Sequence, residues 1–221
     1  MKKRFLLMGA TAVLVMSAVV GGTLAAGQAT AENPVTAPLA AATLNIEWNG
    51  QQNISAPVLL EMQNYNLMPA DIIELTNTYS VKNTGSVDSY IRVTVTKYWT
   101  DEFGNKMPEM DASNIYLQAD TDNWLQAEQL FGDQTMNETQ VFYYKYPVAA
   151  GHSTADLLKQ IEISASIGNE YTNKKVQLEA VADAVQFAGA NESELNAKGI
   201  LASWGVAATF DANGNLTNIE E

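Results

Sequence analysis

The most constraining feature of the chain is the alternation of apolar and polar residues between Tyr90 and Tyr98. One set of alternate positions is apolar and β-branched, and the other set is polar. The apolar set is Ile91, Val93 and Val95, and the polar set is Arg92, Thr94 and Thr96. A period of two is typical of a β-strand with one buried face. The pattern therefore predicts a strand that gives one face to a hydrophobic core.

A strong turn signal, Asn83-Thr84-Gly85-Ser86, directly precedes this strand. The Asn83 side chain can bond to its own backbone, and Gly85 can adopt a positive φ. Upstream of the turn, Ser80-Val81-Lys82 has the character of the end of another strand. We therefore expect residues 79–99 to form the central hairpin of a β-sandwich.

The rest of the chain contains further strand-like segments, separated by turn signals such as Asn49-Gly50 and Met68-Pro69-Ala70-Asp71. The predicted strands cover residues 43–48, 58–62, 72–82, 115–118, 140–146, 161–167, 175–187, 207–210 and 216–219. Residues 192–204 have helical composition, residues 124–130 fit a strand or a short helix, and residues 155–160 fit a helical turn or an extended link. Many short strands with almost no helix predict an all-β, two-sheet β-sandwich with short helical segments.

The N-terminus has the features of a secretory signal peptide. Residues 2–4 are basic, residues 5–20 are apolar, and small residues follow. The apolar run is too short for a comfortable membrane span, so an uncut membrane anchor is the less favoured alternative. Two cleavage sites compete, one after Ala25 and one after the Ala-Thr-Ala that ends at residue 31. We expect residues 1–25 to be removed by a cut between Ala25 and Ala26.

Charge restricts the classes of partner. Without the leader, nine Lys and Arg residues face 25 Asp and Glu residues, a formal charge of −16. Such a chain does not bind nucleic acid or anionic lipid by charge alone, so we expect membrane contact only through the uncleaved leader. The sequence contains no cysteine, which excludes disulfides, thiol catalysis and thiolate metal sites.

The segment after the leader, residues 26–42, differs in composition from the rest of the chain. It is rich in small residues, contains Pro34 and Pro38, and lacks the large apolar side chains that a core requires. We therefore expect a flexible N-terminal arm, followed by a single β-sandwich domain over residues 43–221.

Residues suited to catalysis or metal binding are sparse. His152 is the single histidine, so the chain has no HExxH pair, and we predict a solvated loop residue. Acidic pairs at 101–102, 109 and 111, and 120 and 122 have calcium-binding chemistry, and a carboxylate pair for glycoside hydrolysis stays an open alternative. The spacing of Asp211, Asn213 and Asn215 matches half of a calcium loop, but a hairpin turn explains it better. We predict no catalytic residue, no metal ligand and no cofactor.

Several motifs occur in an order that resembles a known family. They are GGTLA at 21–25, ATLNIEW at 42–48, the turn at 68–71, VKNTGSVDSYIRV at 81–93, YYKYPVAAGHST at 143–154, VQLEAVADAVQ at 176–186 and Trp204-Gly205. This order is similar to that of the TasA/CalY (camelysin-like) secreted proteins of Gram-positive bacteria, over nearly the whole chain. The leader and the Asn-Thr-Gly-Ser turn are the most specific pieces.

The resemblance implies a jelly-roll β-sandwich that is exported to the extracellular matrix or cell surface and assembles into biofilm fibres. It implies a head-to-tail homopolymer, in which the N-terminal arm of one subunit completes a sheet of the next, with other matrix proteins as further partners. The expected assembly residues are Ala37, Leu39, Ala40, Ala42, Leu44 and Ile46. Two alternatives remain: a secreted metalloendopeptidase, an activity attributed to camelysin, and a monomeric surface adhesin or matrix accessory protein.

The chain departs from the family pattern at two places. Pro34 and Pro38 lie within the expected donor arm, and proline removes a ladder donor. The donated strand is then either residues 39–48 or an arm that pairs on one side only. The second departure is Ala70, which occupies the usual glycine position of a Pro-Gly-Asp turn.

Overall fold

The structure of the protein is a computed structural model that describes residues 46–48, 51–52, 58–60, 67–75, 79–127 and 138–220. The predicted signal peptide, its cleavage between Ala25 and Ala26, and the predicted arm over residues 26–42 lie outside the described residues.

The described residues form an all-β fold, as the sequence predicts. The strands are β1 (Ile46–Trp48), β2 (Gln51–Gln52), β3 (Val58–Leu60), β4 (Ile72–Glu74), β5 (Val81–Asn83), β6 (Ser89–Thr100), β7 (Ile115–Ala119), β8 (Trp124–Gln126), β9 (Thr139–Tyr144), β10 (Leu158–Ile163), β11 (Lys175–Gln186), β12 (Ala207–Phe210) and β13 (Leu216–Glu220). The α-helix is α1 (Ser193–Trp204), and two 3₁₀ turns span Ala112–Asn114 and Asn169–Tyr171.

Five strands form one antiparallel sheet, sheet I, in the order β3-β11-β6-β9-β8. At its centre β6 and β11 pair without a register shift, from Ser89 opposite Gln186 to Thr100 opposite Lys175. Both strands carry the period of two that buries one face of each. The inward face of β11 is apolar, since Val176, Leu178, Ala180 and Ala182 are all buried.

The strands that face sheet I form sheet II, which has one part in the order β4-β10-β7 and another in the order β2-β1-β5. Residues 151–157, just before β10, run along β5 and join the two parts. Thr154 N donates to Val81 O at 2.9 Å, and Leu157 N donates to Tyr79 O at 2.8 Å. Consequently β4 and β5 lie end to end beside one continuous segment, residues 151–163, which includes β10.

The main hydrophobic core lies between the two sheets, which confirms the predicted sandwich. Sheet I contributes apolar side chains from β6, β9 and β11, and sheet II contributes side chains from β4, β5, β7 and β10. Buried members of this core include Ile73, Val81, Ile91, Trp99, Ile115, Phe142, Leu158 and Ile161. Burial of each such side chain stabilises the fold by about 1.5–3 kcal/mol before the cost of chain entropy.

A second, smaller core covers the opposite face of sheet I at one end, where α1, β12 and β13 pack against it. It contains Tyr90, Tyr143, Val185, Ile200, Val206 and Leu216. The Tyr90 hydroxyl donates to Gly214 O at 2.7 Å, and burial raises the pKa of this phenol. At the margin, Arg92 bonds to Asp183 at 2.9 Å and lies over the Trp204 ring at 5.3 Å.

The predicted central hairpin is wrong, although both of its strands exist. β5 belongs to sheet II and β6 to sheet I, so the connecting turn crosses the sandwich. Asn83, which is fully buried, makes this crossing: Nδ2 donates to Val87 O and Val148 O, and Oδ1 accepts from Gly85 N. The predicted bond to its own backbone is thus present. Gly85 is not among the residues with positive φ.

Several predicted boundaries also require correction. The single strand predicted over residues 72–82 is two strands, β4 and β5, with separate partners. The strand predicted over 161–167 is β10, which begins at Leu158 and therefore replaces the helical turn or link predicted over 155–160. It ends at Ile163 because the Ser164 hydroxyl then accepts from Ser166 N and starts a turn.

Two loops with the same D-x-x-G-N sequence, residues 101–105 and 211–215, adopt the same turn. In both, Asp N donates to Asn O at 2.9 Å, and Asn Nδ2 donates to Asp Oδ2 at 2.9 Å. In both, Asp Oδ1 accepts from two backbone N–H groups, and the glycine has a positive φ, 86° in the first loop and 78° in the second. The second loop closes the β12–β13 hairpin, which confirms the prediction of a hairpin turn there.

Replacing Ala70 by glycine should stabilise the protein. Ala70 has a φ of 65°, a left-handed conformation that disfavours a Cβ atom. We expect Ala70→Gly to raise the free energy of unfolding by about 0.5–1 kcal/mol. The matched control, Ala202→Gly in the exposed part of α1, should lower it by about 1 kcal/mol. Urea unfolding of both variants checks this, and a destabilised Ala70→Gly variant would contradict it.

The two equivalent turns should depend on ionised Asp101 and Asp211. Hydrogen bonds from Asn105 and Asn215 lower the pKa of these carboxyls below the ordinary value of 3.8. Their contribution to stability is therefore complete above that value and is lost as the pH falls through the lower pKa of the folded protein. We expect Asp101→Ala and Asp211→Ala to lower the urea midpoint at pH 7, with a smaller difference from wild type near pH 2.

The control for this pair is Asp122→Ala. In the described part of the chain, the Asp122 carboxylate accepts no hydrogen bond. Its replacement should change the urea midpoint little at either pH, whereas an equal loss in all three variants would assign the effect to net charge instead of the turns.

Candidate functional site

The residues considered for metal or catalytic chemistry are dispersed over the surface. His152 is exposed, and its Nδ1 lies 3.2 Å from Ala150 O. Its main chain contributes to the fold, since His152 O accepts a hydrogen bond from Asn83 N at 2.8 Å. Within the described ranges, no group of three or more His, Asp or Glu side chains could hold a metal ion.

In each acidic pair, one carboxylate bonds to nearby residues of its own loop: Asp101, Asp111 and Asp120. Asp111 accepts from the N–H and the hydroxyl of Ser113 at 2.8 and 2.7 Å. Asp120 accepts from Asp122 N at 3.0 Å and from Asn123 Nδ2 at 2.8 Å, and the Asn123 bond is the main reason for the lowered pKa of Asp120. These carboxylates serve as turn and helix caps, which explains their spacing without a cation.

The aromatic side chains of β9 divide between the two faces of sheet I. Phe142 is in the main core, whereas Tyr143 is in the second core and contacts Trp204 at a ring distance of 5.5 Å. Tyr144 packs against Trp124 at 5.0 Å and against Tyr146 at 5.5 Å. The alternation of the strand therefore accounts for these side chains.

Of the predicted assembly residues, Ile46 is described, while Ala37, Leu39, Ala40, Ala42 and Leu44 lie outside the described residues. Ile46 is the first residue of β1 and lies opposite Asn83 of β5. The other side of β1 pairs with β2, with Trp48 opposite Gln51. Along the sequence, the predicted arm thus precedes a paired strand of sheet II, with residues 43–45 between them.

The edge of sheet II away from β4 is β7. Asn114 O accepts from Ser164 N at 2.9 Å, and Asp120 N donates to Leu157 O at 2.9 Å, so these groups point toward the β10 side. Because main-chain groups alternate sides along a strand, the N–H and C=O groups of Ile115, Leu117 and Ala119 point away from β10. Ile115 N donates to Ala112 O. No described residue bonds to the outward groups of Leu117 or Ala119.

Ile115 O is the acceptor for Lys97, a residue that the sequence reasoning did not single out. Lys97 occupies an inward position of β6, between Val95 and Trp99, and only 2% of its surface is exposed. Its ammonium donates to Ile115 O at the β7 edge. The signal was present in the sequence, since Lys97 interrupts the apolar series of alternate positions in the predicted strand.

The environment of Lys97 disfavours its charge. Burial lowers its pKa from 10.5 to about 8, and the nearby negative charge of Asp111 opposes this shift only in part. No carboxylate of the described residues forms a salt bridge with it. A buried charge that is only partly compensated costs stability, so packing alone does not account for a lysine at this position.

No family model, curated protein or solved structure matches the chain. No helix within the described part of the chain is long and apolar enough to span a membrane.

Replacing Lys97 by methionine should stabilise the protein. At pH 7 the change removes a buried charge and keeps an unbranched side chain, so we expect a gain of about 1–3 kcal/mol. The folded pKa lies below the unfolded one, so wild type regains stability as the pH rises from about 8 to 10.5. The advantage of Lys97→Met should therefore shrink over that window in urea unfolding.

The control is Lys106→Met, which removes the same charge from the surface. Lys106 pairs with Glu138 and is exposed, so its replacement should change stability by about 0.5 kcal/mol or less. A Lys97→Met variant that is less stable than Lys106→Met at pH 7 would show that the buried ammonium stabilises the fold.

Proposed function

We propose that the mature protein is an exported structural subunit that assembles with copies of itself into fibres of the extracellular or biofilm matrix. The observation that carries this proposal is the position of Ile46. There a paired strand of sheet II begins, and the small-residue segment 26–42, which is unsuited to a core, precedes it in the sequence with residues 43–45 between them. The resemblance of the sequence motifs to the TasA/CalY proteins supports the same function.

The proposed mechanism is strand donation. A sheet edge has main-chain N–H and C=O groups that an extended segment of another chain can pair with. Each such hydrogen bond contributes about 1 kcal/mol net. The arm of one subunit adds to a sheet of the next, and a head-to-tail contact of this kind does not close on itself, so it grows a filament.

Charge modulates the assembly. Subunits with a formal charge of −16 repel each other, which opposes stacking. Salt shortens the screening length to about 10 Å near 0.1 M, so added salt should favour elongation. The arm reduces the conflict because residues 33–45 contain no charged side chain.

The test is deletion of residues 26–42 from the mature chain. We expect a folded monomer that does not elongate, whereas the full mature chain forms filaments more readily at high salt. Light scattering and negative-stain electron microscopy at low and high salt measure this, and circular dichroism reports folding.

A matched control replaces residues 26–42 by a Gly-Ser segment of equal length, which keeps the spacing but removes the apolar side chains. This variant should also fail to elongate. Filaments that form equally well without the arm would reject strand donation. An unfolded deletion variant would show that the arm belongs to the core of its own subunit.

A further inference from the structure

The β7 edge has the properties of an acceptor for an added strand. The N–H and C=O groups of Leu117 and Ala119 point away from β10 and have no partner in the described part of the chain. The side chains of both residues pack on the main core but are only partly buried. A strand added here would therefore gain main-chain hydrogen bonds and also cover apolar surface.

The edge strand of sheet I, β8, lies near the C-terminal hairpin. There β13 approaches β8 without pairing with it, and Leu216 N at the start of β13 donates to Lys145 O, just after β9, at 2.7 Å. In sheet II the described residues place no strand beyond β7.

Lys97 limits access to the β7 edge at one end. Its ammonium occupies Ile115 O, which alternation places on the same side as the groups of Leu117 and Ala119. Proteins protect sheet edges from unwanted pairing with charged side chains, usually on the edge strand itself. Here the charge comes from β6 of the facing sheet and acts by occupying a main-chain acceptor of β7. This function would explain why a buried charge is retained at a position where the alternation predicts an apolar residue.

The segment that best fits this edge lies just upstream of β1. Residues 39–45 contain no proline and no charged residue, so each can donate to a ladder and none opposes the acidic surface of another subunit. The segment ends where β1 begins at Ile46. In the sequence it therefore continues into a strand that pairs with β5 of its own subunit.

We propose that the β7 edge accepts residues 39–45 of a second copy of this chain, and that Lys97 holds this edge partly closed in the free subunit. The inference deepens the proposed strand donation by naming its acceptor, and it rests on that function. The added strand pairs with Leu117 and Ala119 first, and it gains Ile115 O when the Lys97 ammonium moves away.

Disulfide trapping tests the location, because the chain contains no cysteine. The main-chain groups of Gln118 on β7 point toward β10. An added antiparallel strand would therefore face Gln118 in a non-hydrogen-bonded pair, in which the two Cα atoms lie about 4.5 Å apart, close enough for a disulfide. The experiment uses the full mature chain with Gln118→Cys and two synthetic peptides of residues 26–45, one with cysteine at position 40 and one with cysteine at position 41.

We expect disulfide formation with one of the two peptides only, because a shift by one residue turns the side chain to the other face. The matched control is Glu74→Cys, which lies in the same cross-strand row, opposite Gln160, but on β4 at the other side of the sheet. Equal trapping at Glu74→Cys, or no trapping at Gln118→Cys, would overturn the location.

Assembly kinetics test the effect of Lys97. Lys97→Met should shorten the half-time of filament growth by about five-fold, the equivalent of one main-chain hydrogen bond. Lys106→Met changes the charge equally without contacting β7, so it serves as the control. A Lys97→Met half-time no shorter than that of Lys106→Met would reject the closing function.

The outcomes separate this inference from the proposed function. Filaments that depend on the arm but give no disulfide at Gln118→Cys would retain strand donation and reject the β7 edge. Trapping of the peptide at Gln118→Cys in a chain that forms no filaments would support the β7 edge and reject the fibre function.

Discussion

The antiparallel ladder between β6 and β11 is the interaction on which the rest of the structure depends. It runs without a register shift from Ser89 opposite Gln186 to Thr100 opposite Lys175, and it supports a core on each of its two faces. The inner face of β6 turns Ile91, Val93 and Val95 toward sheet II, while on the outer face Tyr90 packs under α1, β12 and β13. A register slip by one residue would exchange these faces, so the two cores together define the pairing.

Asn83 links this ladder to the second sheet. A buried amide is costly unless its donors and acceptors are satisfied, and Asn83 satisfies them with Gly85, Val87 and Val148. The crossing between the sheets, the loop that leads to β10 and the first described strand therefore meet at one residue, because Ile46 pairs opposite Asn83.

At Lys97, the stability of the core and the control of a sheet edge conflict. Every other inward position of β6 from Ile91 to Trp99 is apolar, and an apolar side chain at position 97 would avoid the desolvation of an ammonium group. Position 97 instead carries a lysine, whose ammonium crosses the sandwich and donates to Ile115 O of β7. Stability and control of a sheet edge are competing demands at this position, and the lysine favours the second.

Local sequence determined much of the fold. The period of two in β6 and β11 set which side chains face the core, and the D-x-x-G-N pattern set two equivalent turns, because both depend on residues only a few positions apart. The sequence also contained the motifs behind the fibre proposal. Tertiary structure alone decided that β5 and β6 lie in different sheets, that Asn83 is buried, and that Lys97 reaches Ile115. Alternation makes a strand competent to pair but does not choose its partner, since that choice depends on contacts between residues far apart in the chain.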